Sequence, residues 1–395
     1  MNKTRTKAPD ETVVEVPARR DLAARLTRDV FSPRNPDLAC LLRRREPDAR
    51  QRAFFLVDAG VAAARPDVCA AIEGYARAHS ATLVLAGAPL IVEGGELCKA
   101  RREVCDWIRA RLTGAGIDAR SHVVIVGGGS LLDAAGFAAA TLHGGVRVTR
   151  VPTTLAAQVG AAWSSDCAVH ACGRRDWMRA VQTPFAVALD PRWLASLPLE
   201  ERRAGLAEAM RLALVCEPRL FHWICDRAQA LAAFERRSIE ALTRWCARLQ
   251  CERLGAGEAR AAIGGRAAGF GRWAEYGLRA LAPETDGSVA AAVGVAVDVL
   301  LSVVLTGLPP ETAKAALETL AALGLPLWHE ALGESDEEAR PALLAGLAEL
   351  RDREGGAPSI PLLQALGRPA LSECVSAEAV AAVLEALYRW SGLEP

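Results

Sequence analysis

The sequence is poor in lysine. Only Lys3, Lys7, Lys99 and Lys314 occur, so 43 of the 47 basic residues are arginine. A guanidinium stays protonated and cannot act as a base, which excludes chemistry needing several lysines to move protons. A charge excess of one sign is also missing, since 47 acidic residues balance the 47 basic ones. That balance argues against a nucleic-acid binder, which carries a basic excess or stripe. No uncharged apolar run reaches the roughly 18 residues of a membrane span; the longest, Val289 to Leu305, is broken by Asp298. The first dozen residues, MNKTRTKAPDET, have no apolar stretch and do not form a signal peptide. The six histidines (His79, His122, His143, His170, His222, His329) form no H-x-x-x-H or H-E-x-x-H pattern. Cys167/Cys172 and Cys246/Cys251 lack zinc-ligand spacing.

What is present is a chain of 395 residues, 51% hydrophobic and 24% charged, enough for one large or two medium domains. Eleven cysteines, an odd number, suit buried thiols in a reducing cytoplasm. Short apolar runs alternate with helical stretches in the first half. Strands are expected at Phe54–Asp58, Ala81–Ala86, Val123–Val126, Arg147–Val151 and Phe185–Leu189, with helices near Pro66–Ala78, Lys99–Leu112 and from the GGGS segment through Ala140. This alternation predicts an α/β domain with a parallel sheet, residues 1–198. Alanine- and leucine-rich segments of helical spacing follow, and predict an all-helical domain over 199–395.

Gly127-Gly128-Gly129-Ser130 directly follows a strand and opens a helix. Consecutive glycines admit a phosphate close to the backbone, and the helix start offers free N–H groups. The spacing is not G-x-G-x-x-G. Two other segments lie at carboxyl ends of strands, where parallel sheets bind ligands: Gly94 to Lys99, and Thr153-Thr154. Together the three predict a nucleotide site. His170, with Asp166, Cys167 and Asp176, stands in a segment that contains Trp163 and Trp177; ordinary loop and packing roles are expected there.

The stretches GGGSLLDAAGFAAATLHGGVRVTRVPTTLAAQV (127–159) and AVALDPRWLASLPLEERRAGLAEA (186–209) resemble the 3-dehydroquinate synthase-like sugar phosphate cyclases. The resemblance continues through GFGRWAEYGL (269–278), GLPLWHEAL (324–332) and ELRDREGGAPSIPLL (349–363), in the manner of a divergent branch. It implies a two-domain fold with NAD⁺ and a divalent metal, zinc or cobalt, in the cleft. It also implies a phosphorylated sugar substrate that loses phosphate and closes to a carbocycle, and a homodimer through the α/β domain. Asp58, Glu96, Lys99, Gly127, Gly128, Gly129, Asp133, Thr153, Thr154, Leu155, Leu197 and Glu201 match cofactor-contacting positions, with Ser196 in place of a threonine. The aspartate of the nicotinamide side is replaced by Gly160.

The chemical side is substituted. Of the metal ligands only Glu208 matches; one histidine position is Arg272 and the other falls on Asp286 or Gly287. Asp166 stands for a catalytic lysine, Arg175-Asp176 for a lysine–asparagine pair, Arg211 for a lysine, Gln250 near another, and Tyr276 for a histidine, while Arg266 matches a phosphate-binding arginine. Zinc needs three neutral or anionic ligands, so a metal is doubtful here. Arg272 is expected to take the place of the metal and pair with Glu208. Two functions remain open: a cyclase with lost or altered catalysis, or an inactive pseudoenzyme that binds a nucleotide or a protein. Neither involves nucleic acid or a membrane span.

Overall fold

The computed structural model describes residues 21–255, 269–356 and 359–392. In the first half, parallel strands lie in the order β1 (Ala23–Leu26), β9 (Ala186–Leu189), β6 (Arg147–Pro152), β5 (His122–Gly127), β2 (Gln51–Asp58). On the outer edge of β2, β3 (Leu83–Leu85) pairs with its first residues and β4 (Leu90–Val92) with its last. Side chains along a strand alternate between faces. Phe54, Leu56, Val123 and Ile125 thus join one buried layer with helices α5 (Arg102–Gly114) and α6 (Gly129–Ala140). Phe55, Val57, Val124 and Val126 join the opposite layer with α1 (Asp37–Leu42) and α3 (Val68–Ala78). Burial on both faces is what a parallel sheet requires.

The five expected strands are present at or near their predicted bounds, and β1 and β4 are additions. The segment between β6 and β9, expected to be a loop, forms α7 (Leu155–Val159) and an antiparallel hairpin of β7 (Asp166–Ala171) and β8 (Arg174–Val181). Arg150 on β6 is fully buried, and its guanidinium donates to the carbonyls of Ala161, Ala162, Ser164 and Gln182. That fan of bonds ties the approach to the hairpin to the sheet.

The second half is helical. It includes α8 (Leu199–Cys216), α11 (Arg236–Gly255), α12 (Arg272–Leu281), α13 (Gly287–Thr306), α15 (Ala345–Glu354) and α16 (Ala377–Trp390), together with α9 (Pro218–Asp226), α10 (Ala228–Ala232) and α14 (Pro310–Ala322). The expectation that this half is all-helical is corrected by a short antiparallel hairpin, β10 (Ile360–Ala365) with β11 (Arg368–Ser372). Helix α13 is long and apolar enough to cross a membrane by length and composition, but most of it is buried in the helical core, with Asp298 among its buried residues. All eleven cysteines are free thiols, but the expectation that they are buried holds only for Cys98, Cys105, Cys167 and Cys246, and Cys172, Cys251 and Cys374 are exposed.

The core of this half includes a close backbone approach between two helices. A Cβ at Gly294 on α13 would lie 2.2 Å from the Gly271 carbonyl oxygen, and Gly271 itself has φ +73°. Only glycine meets both demands. Gly294→Ala is therefore expected to lower stability by about 1–3 kcal/mol through overpacking, read as a lower urea midpoint at unchanged slope.

Candidate functional site

The carboxyl ends of β2, β5, β6 and β4 lie side by side, because Val57 pairs with Val126, Gly127 with Pro152 and Asp58 with Val92. This register gathers Asp58, Gly94, Gly127–Gly129 and Thr153–Thr154 at one edge. Asp58 caps α2 (Ala59–Ala64) by accepting from the Gly60 N–H at 2.8 Å, and burial raises its pKa against that bond. Gly94 packs against the same carboxylate, where a Cβ would fall 2.1 Å from Oδ2. Thr153 is buried, and its N–H donates to the Gly127 carbonyl. Thr154 caps α7 through the Ala157 N–H. Leu155 is core, packed against Gly205 of α8. In contrast to α2 and α7, helix α6 starts at Gly128 with no side-chain cap. Its first amides carry the partial positive charge of a helix start beside glycine backbone, an arrangement suited to a diphosphate.

Glu201 lies on the first turn of α8, while Leu197, just before that helix, accepts from Arg202 through its carbonyl. Desolvation and the charges of Asp58, Asp286 and Glu200 raise the Glu201 pKa. Asp58 and Glu201 thus stand near one another with no cationic partner among the described residues, and can accept hydroxyl hydrogen bonds.

The other end of the glycine turn is crowded. The β7–β8 hairpin turns through Cys172 (φ +53°) and Gly173 (φ +72°) and brings Arg175 and Asp176 inward. Asp176 also has positive φ, and its N–H donates to His170 Nδ1 at 3.0 Å. Its carboxylate pairs with the Lys99 ammonium and accepts from Tyr276 Oη at 2.9 Å. Lys99 in turn donates to Asp133 at 2.8 Å. Arg175 pairs with Glu96, which also meets His170 Nε2 at 3.2 Å, Ser130 Oγ at 3.2 Å and Arg279 at 3.9 Å. Three cations, Lys99, Arg175 and Arg279, thus face three carboxylates, Glu96, Asp133 and Asp176. Burial opposes charge on Lys99, but Asp133 and Asp176 outweigh it and raise its pKa. Burial also opposes charge on Asp176, but Lys99, Tyr276 and His170 hold its pKa low.

Behind the turn lies a second ionic cluster. Glu208 on α8 accepts from Arg211 and, at 2.9 Å, from Arg272 Nη2. Glu275 accepts from Arg211 Nη2 at 2.9 Å and from Arg272 Nη1 at 2.9 Å. Two guanidiniums and two carboxylates close a neutral ring, with the Arg211 side chain only 2% exposed. The expected pairing of Arg272 with Glu208 is thus present. Burial would raise the Glu208 pKa, yet Arg272 and Arg211 outweigh it and lower the value. A Cβ at Gly160 would lie 2.9 Å from Glu208 Oε1, so the carboxylate occupies the space that a side chain there would need. Asp298 fixes the approach to Arg272 by accepting from the Gly271 N–H and, at 2.7 Å, from Trp273 Nε1.

The remaining sequence candidates are placed as follows. Asp286 caps α13 through the Ser288 N–H and lies outside the Glu208 ring, as does Gly287 in the first turn of that helix. Asp166 is exposed at the start of β7, and its N–H donates to Ser164 Oγ. Cys167 faces Arg150 at 3.1 Å, so it does not join His170. Trp163 is buried in the α/β core, and Arg174 stacks over Trp177. Gln250 is buried and donates to the Val159 carbonyl at 2.7 Å. Arg211 and Arg175 are both engaged with carboxylates of the chain. Arg266 lies outside the described residues. Ser196 donates to the Trp193 carbonyl. Glu275, Arg279 and Asp298 were not named as site residues from sequence, although Glu275 stands three residues after Arg272 and Asp298 interrupts an apolar run.

Residues 89–204 match the family profile described as 3-dehydroquinate synthase N-terminal. A 3-dehydroquinate synthase of Pyrobaculum islandicum is 30% identical over 305 residues, covering 77% of this chain and 87% of that protein. The chain belongs to the 3-dehydroquinate synthase family. A family member from Aeropyrum pernix is 32% identical over 314 residues, 76% of this chain and 81% of that protein. Among solved structures, the 2-epi-5-epi-valiolone synthase ValA of Streptomyces hygroscopicus, with NAD⁺ and Zn²⁺ bound, superimposes with TM-score 0.80 at 20% identity over 96% of this chain and 99% of that one. A 2-deoxy-scyllo-inosose synthase complexed with carbaglucose-6-phosphate, NAD⁺ and Co²⁺ gives TM-score 0.70 at 19% identity, over 92% and 96%. These two sugar phosphate cyclases share the fold: a parallel-sheet α/β part followed by a helical part.

Removing one member of a buried ion network strands its partner charges. Arg211→Met is expected to lower stability by about 3–5 kcal/mol, and Arg272→Met by less, since a third of its side chain is exposed (34%); urea unfolding at neutral pH measures both. Two pH effects of opposite sign are expected. Glu208, with its folded pKa depressed, contributes stability above its ordinary 4.5 that is lost as pH falls through the folded value. Burial pushes Asp298 up to about 7 despite its two donors, so its contribution is complete below 3.8 and is lost as pH rises to about 7. Thermal unfolding across that range should show the decline in the native protein and a flatter profile in Asp298→Asn.

Proposed function

We propose that this chain is a sugar phosphate cyclase homologue that keeps a nucleotide site and does not carry out metal-dependent cyclisation. The observation that carries this reading is the ring of Arg211 and Arg272 around Glu208 and Glu275. A divalent cation needs several unprotonated donors facing one point. Here Glu208 is neutralised by two guanidiniums, Asp286 stands apart as a helix cap, and no group of three or more metal-binding side chains occurs among the described residues. The donor set does not fit a metal, and no reaction step is assigned to one.

The nucleotide side does fit. The uncapped amides at the start of α6 suit a diphosphate, and Asp58 and Glu201 can accept from ribose hydroxyls. NAD⁺, the cofactor named for both solved cyclases, supplies a hydride acceptor when bound. Around it this chain offers binding and orientation but few groups for proton movement. Lys99 is locked between two carboxylates, and burial, together with Lys99 and Arg279, lowers the pKa of His170 against the pull of Asp176. A cytoplasmic homodimer joined through the α/β half, with a sugar phosphate as vestigial or regulatory ligand, belongs to the same proposal.

Calorimetric titration with NAD⁺ and a phosphate-release assay on heptulose-type phosphates with NAD⁺ plus zinc or cobalt test this reading. Saturable nucleotide binding without phosphate release is expected. Turnover that a chelator abolishes would overturn it.

A further inference from the structure

The glycine turn has two distinct ends. At one, a Cβ on Gly127 would lie 3.1 Å from the Asp58 Cβ; at the other, a Cβ on Gly129 would lie 3.3 Å from the Ala161 Cβ. A dinucleotide whose diphosphate rests on such a turn sends one nucleoside toward each end. At the Asp58 end, Asp58 and Glu201 carry negative charge with no cation paired to either among the described residues, so ribose hydroxyls find acceptors. At the Ala161 end the polar groups already satisfy one another. Asp176 sits between Lys99 and Tyr276, Arg175 covers Glu96, and Glu208 fills the space beside Gly160.

Hairpin tip and helical half are also fastened together around this end. The Arg353 guanidinium donates to the Arg175 carbonyl at 2.9 Å, and Arg174 pairs with Asp352 at 2.9 Å. A nicotinamide riboside entering there would have to displace a carboxylate from a buried ammonium, and its pyridinium ring brings a positive charge where a negative one is lost. An unpaired buried ammonium is costly.

We propose that this site takes a single nucleoside with its diphosphate, of the ADP or ADP-ribose class, and that Arg175 and Asp176 act as an internal occupant of the end where a dinucleotide would place its nicotinamide. The proposal rests on the nucleotide site proposed above and narrows its ligand. Recognition lies in the Asp58 end and the turn, so the nicotinamide contributes no affinity.

The test is calorimetric titration of the full chain with ADP, ADP-ribose, NAD⁺ and nicotinamide mononucleotide. Expected are dissociation constants for ADP-ribose and NAD⁺ within about threefold of one another, and no binding of the mononucleotide. NAD⁺ binding about tenfold or more tightly than ADP-ribose, a difference near 1.4 kcal/mol, would overturn this proposal while leaving a nucleotide-binding protein. Absence of binding by all four would overturn both readings. The double variant Arg175→Ala/Asp176→Ala frees Lys99 and Glu96, and should shift the ratio toward NAD⁺ by about tenfold. An unchanged ratio in a variant that melts cooperatively refutes the role given to the hairpin.

Discussion

The site depends on the closure of a charge ring. Glu208 is largely withdrawn from solvent, its side chain 20% exposed, and such a carboxylate must meet positive charge or be protonated. In the solved cyclases a divalent cation is present; in this chain two guanidiniums stand around the carboxylate, and Glu275 completes the neutralisation. Because arginine is planar and donates in parallel pairs, Arg211 and Arg272 can each bridge both acids, which a lysine could not do with the same geometry. The scarcity of lysine across the chain therefore has a local meaning at this point. A guanidinium supplies charge there and cannot act as a base.

The hairpin completes the arrangement from the opposite side. Arg150 anchors its base, Cys172 and Gly173 turn its tip, and His170 holds the backbone of Asp176 in an unusual conformation. These three constraints place a carboxylate against Lys99, the one lysine of the first half that matches a cofactor position. Both ionic clusters are formally neutral within themselves. Net charge at the cleft is therefore dominated by Asp58, Glu201 and Asp286, beside the uncapped start of α6.

Much of this was legible in the residues. Continuous apolar runs marked the central strands because both faces of the sheet are covered, and the glycine turn identified the binding edge. The short edge strands β1 and β4 were not legible, since three or four residues carry too little periodicity. The β7–β8 hairpin was missed because RRDWMRAV is rich in charge and reads as a solvated loop, whereas its Arg175 and Asp176 turn into the ionic cluster. The family pattern singled out Glu208, Arg211 and Arg272 one at a time. Their closure with Glu275 is a tertiary property, as is the support that Asp298 gives to Gly271 and Trp273 from another helix.

The contact between Gly160 and Glu208 has a consequence for how such a site changes over generations. Replacing Gly160 by the aspartate of the family pattern would press a second carboxylate against Glu208. Replacing Arg272 by histidine, with the ring otherwise intact, would leave Arg211 to neutralise two acids. Each change leaves negative charge that the guanidiniums no longer match, and the two together leave more. The ring therefore resists both substitutions, singly and together, unless a bound cation restores the balance of charge.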